Sequence, residues 1–205
     1  MRILSKLFLP CVLVSIFSAC GTSDILQSKV AEPQVYIIKP EGAGAAQVAF
    51  NSQLAIALPT ATPGLDTDHI AVLRDGNHLD YYFGVRWGAA APIVVQSFVV
   101  SLLQSQQGFK SVVAEAARVD AEYLLEISLT DFQAEYGSDT APTVHITLVA
   151  NLINIKQRKS SSLLRTSATV AARENHVGAV VTAFQSALQQ AATSLSAQVT
   201  ATVGK

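Results

Sequence analysis

Between Tyr123 and Ala171 the chain alternates apolar and polar residues in a way that leaves it little choice of fold. Tyr123, Leu125, Ile127 and Leu129 alternate with Glu126, Ser128 and Thr130, and Val144, Ile146, Leu148, Ala150 and Leu152 alternate with His145, Thr147 and Asn151. A period of two is that of a strand with one dry and one wet face. A third strand is expected over 163–171, after a charged, serine-rich turn at 156–162, and Gly137-Ser138-Asp139 marks the loop between the first two. Three consecutive strands with short polar connections predict an antiparallel meander.

Beyond the meander the period becomes helical. Val177, Val181, Phe184, Leu188, Ala191, Leu195 and either Gln198 or Val199 recur at threes and fours, with Asn175 placed as N-cap. Such a stripe lies on a sheet. The alternative, a coiled-coil seam, is diluted by Ala191 and Gln198. A second helix is expected between Pro92, suited to a first turn, and Gly108, suited to a stop. Val94, Phe98, Ser101, Leu102 and Ser105 share one of its faces, while Ile93, Val99, Val100 and Leu103 make the others apolar, so burial on more than one side is expected. Shorter strands are expected at 35–38, 54–58, 70–73, 78–83 and 109–113, with Asp75-Gly76-Asn77 turning a hairpin. The resulting expectation is an α+β fold, a mostly antiparallel sheet with two main helices packed on one face.

The N-terminus has a different character. Arg2 and Lys6 precede an apolar stretch at 7–17, broken by Pro10 and Ser15, and Phe17-Ser18-Ala19 lead into Cys20. Charged, apolar and small segments in that order are the layout of an export signal. A cysteine directly after the small residues resembles a lipobox, although Phe17 stands where Leu is usual. The expected organisation is a signal peptide at 1–19, a lipidated Cys20 with a tether to residue 34, and one domain at 35–205. The apolar stretch is shorter than the roughly 20 residues a bilayer span needs. Loss of Arg2 and Lys6 with the signal moves the net charge from −1 to −3. That balance offers neither a basic footprint for nucleic acid nor a polybasic patch for lipid headgroups, so attachment to a membrane falls to the acyl chains. Cys11 leaves with the signal and Cys20 is consumed by lipid, so the domain has no thiol for a disulfide, a metal or a nucleophile.

Little in the sequence argues for catalysis. Neither a Gly-x-x-x-x-Gly-Lys-Ser/Thr loop nor a Gly-x-Ser-x-Gly elbow is present. Asp66, Asp68 and His69 cluster in one loop without a fourth ligand at a useful spacing, and His78, His145 and His176 read as surface residues. The expectation is no catalytic residue, no metal and no cofactor. Trp87, the only tryptophan, is placed in the core between hairpin and first helix. Arg86 and Tyr82 beside it are the candidate residues for a partner interface, being of types favoured at interface centres.

Leu58-Pro59, Leu65-Asp66, Ile70-Ala71-Val72 and the run Arg74-Asp75-Gly76-Asn77-His78-Leu79-Asp80-Tyr81-Tyr82 lead to Arg86-Trp87-Gly88-Ala89. With Tyr36-Ile37-Ile38 before them and Leu125-Glu126-Ile127-Ser128-Leu129-Thr130-Asp131-Phe132 after, they resemble the ABC-type transport auxiliary lipoprotein family. The resemblance runs from Tyr36 to Val199. It implies a non-enzymatic component at the outer membrane, facing the periplasm. Its implied partner is a periplasmic mammalian-cell-entry-domain protein of a lipid-moving ABC system, and self-association is left open. The competing expectation is a stand-alone carrier holding lipid in an internal apolar cavity, which needs several hundred Å³.

Overall fold

The computed structural model describes residues 32–42, 49–117, 120–138 and 141–204. Residues from Glu32 onward form one unit. The signal, Cys20, the tether before Glu32 and much of the expected loop at 41–46 lie outside the described residues.

Among the described residues, nine strands make one sheet. They are β1 (Gln34–Tyr36), β2 (Phe50–Ile56), β3 (Thr60–Ala61), β4 (His69–Arg74), β5 (His78–Trp87), β6 (Phe109–Ala114), β7 (Tyr123–Glu135), β8 (Thr143–Asn154) and β9 (Lys159–Ala171). Helix α1 (Ala91–Gln106) lies between β5 and β6, and α2 (Val177–Val203) ends the chain. The meander β7–β8–β9 is antiparallel, as its short polar connections implied. The other edge of β7 is different. Along its length it pairs with β2, then β3, then β4, each time in parallel. β6 joins β2 and β1 joins β5, also in parallel.

The expected "mostly antiparallel" sheet is therefore corrected. It is mixed, and five of the eight strand pairings among the described residues are parallel. The reason is connectivity. The chain between β2 and β7 returns through α1 and long excursions, and parallel neighbours need such crossovers. Periodicity reports which face of a strand is wet, but not the direction of its neighbour.

β7 also runs farther than its first alternation. Its register shifts between Leu129 and Asp131. Leu125, Ile127 and Leu129 are buried before the shift, and Phe132 and Ala134 after it. One extra residue reverses the parity of every later side chain, so the bulge keeps the apolar set inward for the whole length.

The core lies between this sheet face and the helices. α2 packs on β8 and β9, α1 on β6, and the two helices touch. Ser196 Oγ donates to Gln106 Oε1 across the helix pair. The stripe expected on α2 is the one buried, through Val181, Phe184, Leu188, Ala191, Leu195 and Val199. α1 buries one broad face, Ala91, Pro92, Val95, Phe98, Val99, Leu102 and Leu103, and leaves Ile93 45 % exposed. It is thus more one-sided than its composition suggested.

Both helix ends depart from the expected residues. α1 stops at Gln107, whose φ of 53° takes the left-handed cap conformation one residue before Gly108. α2 is capped by His176, whose Nδ1 accepts from the Ala179 N–H at 3.2 Å. Asn175 Oδ1 accepts instead from the Tyr136 hydroxyl at 2.7 Å. The turn expected at 156–162 is shorter, because β9 already begins at Lys159.

Candidate functional site

The β4–β5 hairpin carries the residues singled out by sequence. It turns where Asp75 and Gly76 adopt φ of 51° and 75°, with the Asn77 N–H donating to the Arg74 carbonyl at 3.3 Å. Asp-Gly serves here because both central positions of such a turn need positive φ. Below the turn, β4 and β5 pair regularly from Arg74↔His78 to Ala71↔Tyr81. The next pair is His69↔Arg86. Ile70 alone therefore faces residues 82–85, and β5 bulges outward over that stretch.

The bulge sorts four neighbouring side chains. Tyr82 turns inward, half-buried, and its hydroxyl donates to Tyr136 Oη at 3.3 Å. Burial raises its phenol above the ordinary tyrosine value, the hydrogen bond and charge of Tyr136 add to the rise, and Arg74 opposes it. The Arg74 guanidinium lies 5.1 Å from the centre of the Tyr136 ring. Phe83 turns outward and is 98 % exposed. Gly84 follows with φ of 70°, a backbone state that a β-branched or bulky residue avoids. Val85 turns back into the core.

Arg86 and Trp87 then diverge. Arg86 Nη1 reaches Asp68 Oδ2 at 3.6 Å, with both side chains partly exposed. Trp87 is 1 % exposed, as its core placement required. Its ring centre lies 5.7 Å from Phe132 and 5.1 Å from Phe184, which are themselves 5.1 Å apart. The Trp87 backbone N–H donates to the Asp68 carbonyl at 2.7 Å, and the Ala91 N–H to the Thr67 carbonyl at 2.9 Å. The 67–69 loop is thus tied to the start of α1 by its backbone, and Asp68 is committed to Arg86 and His69, whose Nδ1 is 3.3 Å away.

The remaining histidines are spread over the molecule. His145 approaches Glu135 at 3.6 Å on the open sheet face, and His176 approaches Glu174 at 3.3 Å. Among the described residues no three His, Cys, Asp or Glu side chains group as a metal site. The structure brings Arg86 and Asp68 together at the surface and draws Tyr82 away from them into the Tyr136–Asn175 chain. Sequence reasoning passed over Phe83, which it took as an ordinary strand residue. Gly84 was the available signal, since a glycine within a strand pattern marks a bulge.

Other solved structures share this fold. Protein XCC0632 from Xanthomonas campestris superposes with a TM-score of 0.72 at 22 % identity, covering 83 % of this chain and 97 % of its own. A second solved structure, of an uncharacterized protein, superposes at 0.67 with 14 % identity, covering 82 % and 99 %. At these identities the likeness speaks for the fold alone. No curated protein matches the chain. The sequence model of a family described as the ABC-type transport auxiliary lipoprotein component matches residues 36–196. With the fold and this match together, the chain belongs to the ABC-type transport auxiliary lipoprotein family and is an auxiliary component of ABC-type transport.

Proposed function

We propose that this auxiliary lipoprotein works by docking, holding a periplasmic mammalian-cell-entry-domain protein of its transport system at the outer membrane without binding the cargo itself. The observation that carries this reading is the filled centre of the domain. Trp87, Phe132 and Phe184 close the space between hairpin, sheet and α2, each at most 1 % exposed. The cleft lined by Tyr36, Ile37, Ile38, Ile93 and Val94 holds about 220 Å³ and opens to solvent. A larger one of about 520 Å³, edged by Ala49, Gln106, Thr193, Ser196, Ala197 and Thr200, is more open still. A lipid carrier must bury most of its ligand in a deep apolar pocket, and clefts this open to solvent do not favour one.

Acyl chains on Cys20 supply the attachment in this reading. Gly21 follows Cys20 where Asp favours inner-membrane retention, which supports the outer membrane. The thirteen residues 21–33 reach at most about 45 Å when extended, enough to search a surface but short of a second membrane. Arg86, with its charged end at the surface, is the first contact to test.

The test is capture of the periplasmic mammalian-cell-entry protein encoded beside this one, using the full-length acylated lipoprotein. Docking predicts co-purification, weakened by Arg86→Glu while the domain stays folded. A lipoprotein that ignores that protein yet extracts lipid stoichiometrically would replace docking with the carrier.

A further inference from the structure

We propose that Phe83 contacts the bilayer and fixes how the domain faces the membrane that anchors it. This rests on the Cys20 anchor of the preceding reading. Four features meet at one edge of the sheet. The first is exposure: Phe83 is 98 % exposed at the tip of the β5 bulge, the highest value among the exposed large apolar residues described. The second is rigidity. The bulge is framed by paired residues on both sides, Ala71↔Tyr81 and His69↔Arg86, and Gly84 supplies the left-handed step that turns Phe83 out. A bulge of this kind re-aims a side chain, and Tyr82 and Val85, packed inward, hold its base.

The third feature is where the chain enters. β1 pairs in parallel with β5, with Gln34 opposite Val85. Two residues upstream on both strands stand Glu32, where the described chain begins, and Phe83. The chain therefore enters the sheet on the β5 margin, next to the strand that carries the exposed ring, and Cys20 is joined to that point by residues 21–33. The fourth is the rim. Val35 of β1, opposite Arg86, and Ile37 just past the end of that strand are 52 % and 69 % exposed.

A lipid surface is the occupant these features fit. A stable protein interface buries about 800 Å² on each side around a packed centre. Phe83 instead projects from the bulge without such a packed centre, with the exposed Asp80 and Arg86 nearby on its own strand. A bilayer needs no matching pocket. It accepts an aromatic ring at the headgroup–acyl boundary, about 5–10 Å deep. The tether keeps the surface close at high effective concentration, so even one ring bears on orientation, while the acyl chains carry the affinity. With Phe83 down, the β5 edge lies against the membrane and the β9 edge, at the far side of the sheet order, points away.

The mature chain has no cysteine besides Cys20, which makes a label decisive. Phe83→Cys and, as control on the exposed face of β9, Ser167→Cys are each introduced into the full acylated protein and labelled with an environment-sensitive fluorophore. The proteins are reconstituted into phosphatidylethanolamine–phosphatidylglycerol vesicles, with acylation confirmed by mass spectrometry. The expected result is a blue shift at position 83 and quenching by headgroup-proximal doxyl lipid about twofold or more above that at 167. Equal, water-like signals at both positions in acylated protein overturn the inference while leaving the anchor intact. A blue shift at 83 that ignores doxyl lipid and grows with protein density assigns the ring to a second copy and likewise overturns it. Absence of acylation removes the anchor itself and overturns both readings.

Discussion

Trp87 meets Phe184 edge-on, with ring centres 5.1 Å apart and planes at 78°. The contact joins the last residue of β5 to the N-terminal third of α2, across nearly half the chain. Phe132 of β7 completes a triangle, so hairpin, meander and final helix share one aromatic contact. Offset and edge-on ring pairs contribute about 0.5–1.5 kcal/mol beyond the area they bury.

Truncation at this junction is expected to be severe. Trp87→Ala should destabilise the domain by about 3–5 kcal/mol. Trp87→Phe should behave differently, because Trp87 Nε1 is buried without a protein hydrogen-bond partner among the described residues. Removing that indole N–H relieves a penalty of about 1–3 kcal/mol, which offsets much of the smaller ring's cavity. Denaturant unfolding of both variants checks this. Equal losses for Ala and Phe would show that the indole N–H is satisfied in solution.

Tyr82 makes the domain sensitive to alkali. Its folded-state proton affinity is raised chiefly by burial and next by the hydrogen bond to Tyr136, whereas the unfolded chain titrates near 10. Below that value both states hold the proton and nothing is lost. Above it the unfolded state releases its proton first, so stability falls as pH rises, toward the higher folded value. Tyr82→Phe removes the titrating group. Its stability should decline less steeply than that of the wild type between about pH 9 and pH 11. Matching slopes would assign the alkaline loss elsewhere.

The end of α1 offers a gain. Gln107 is exposed, carries φ of 53°, and its N–H donates to the Gln104 carbonyl at 3.2 Å. A left-handed cap is a glycine position. Gln107→Gly relieves a left-handed strain of about 1–2 kcal/mol and gives part of it back to the looser unfolded chain, for a net stabilisation of about 0.5–1 kcal/mol. Differential scanning calorimetry reads the sign directly, and a lower midpoint would mean that the cap conformation is not strained.

Most elements were legible because their residues report on their own environment. The alternation of Val144 to Leu152 and the α2 stripe from Val181 to Val199 each describe a face, and each face is buried as read. The parallel joins of β2, β3 and β4 to β7 were not legible. A strand's side chains have the same period whichever way its neighbour runs. The caps failed for a related reason. Asn175 is a fine N-cap by type, but Tyr136, 39 residues earlier, takes its side-chain oxygen, and no local pattern announces a tertiary competitor. At the candidate site, Trp87 was legible from its bulk and its place after an apolar arm. Phe83 was not, because the outward turn belongs to the bulge and is written only in Gly84.

The prediction with the widest consequence concerns Cys20. Phe17-Ser18-Ala19-Cys20 places a thiol where small residues end, and only a thiol forms the thioether that carries the diacylglyceryl group. Two or three acyl chains anchor stably where one does not. Among the described residues no helix is long and apolar enough to cross a membrane, so attachment in this reading depends on that one atom. Cys20→Ser should accumulate as an uncleaved precursor without lipid, and mass spectrometry should find the wild-type protein beginning at an acylated Cys20. Processing of the variant at the same bond, or a free Cys20 thiol in the wild type, would refute the anchor. Fractionation of the two membranes then tests the placement argued from Gly21. Recovery of the acylated protein with the inner membrane would move the docking point to the other end of the conduit.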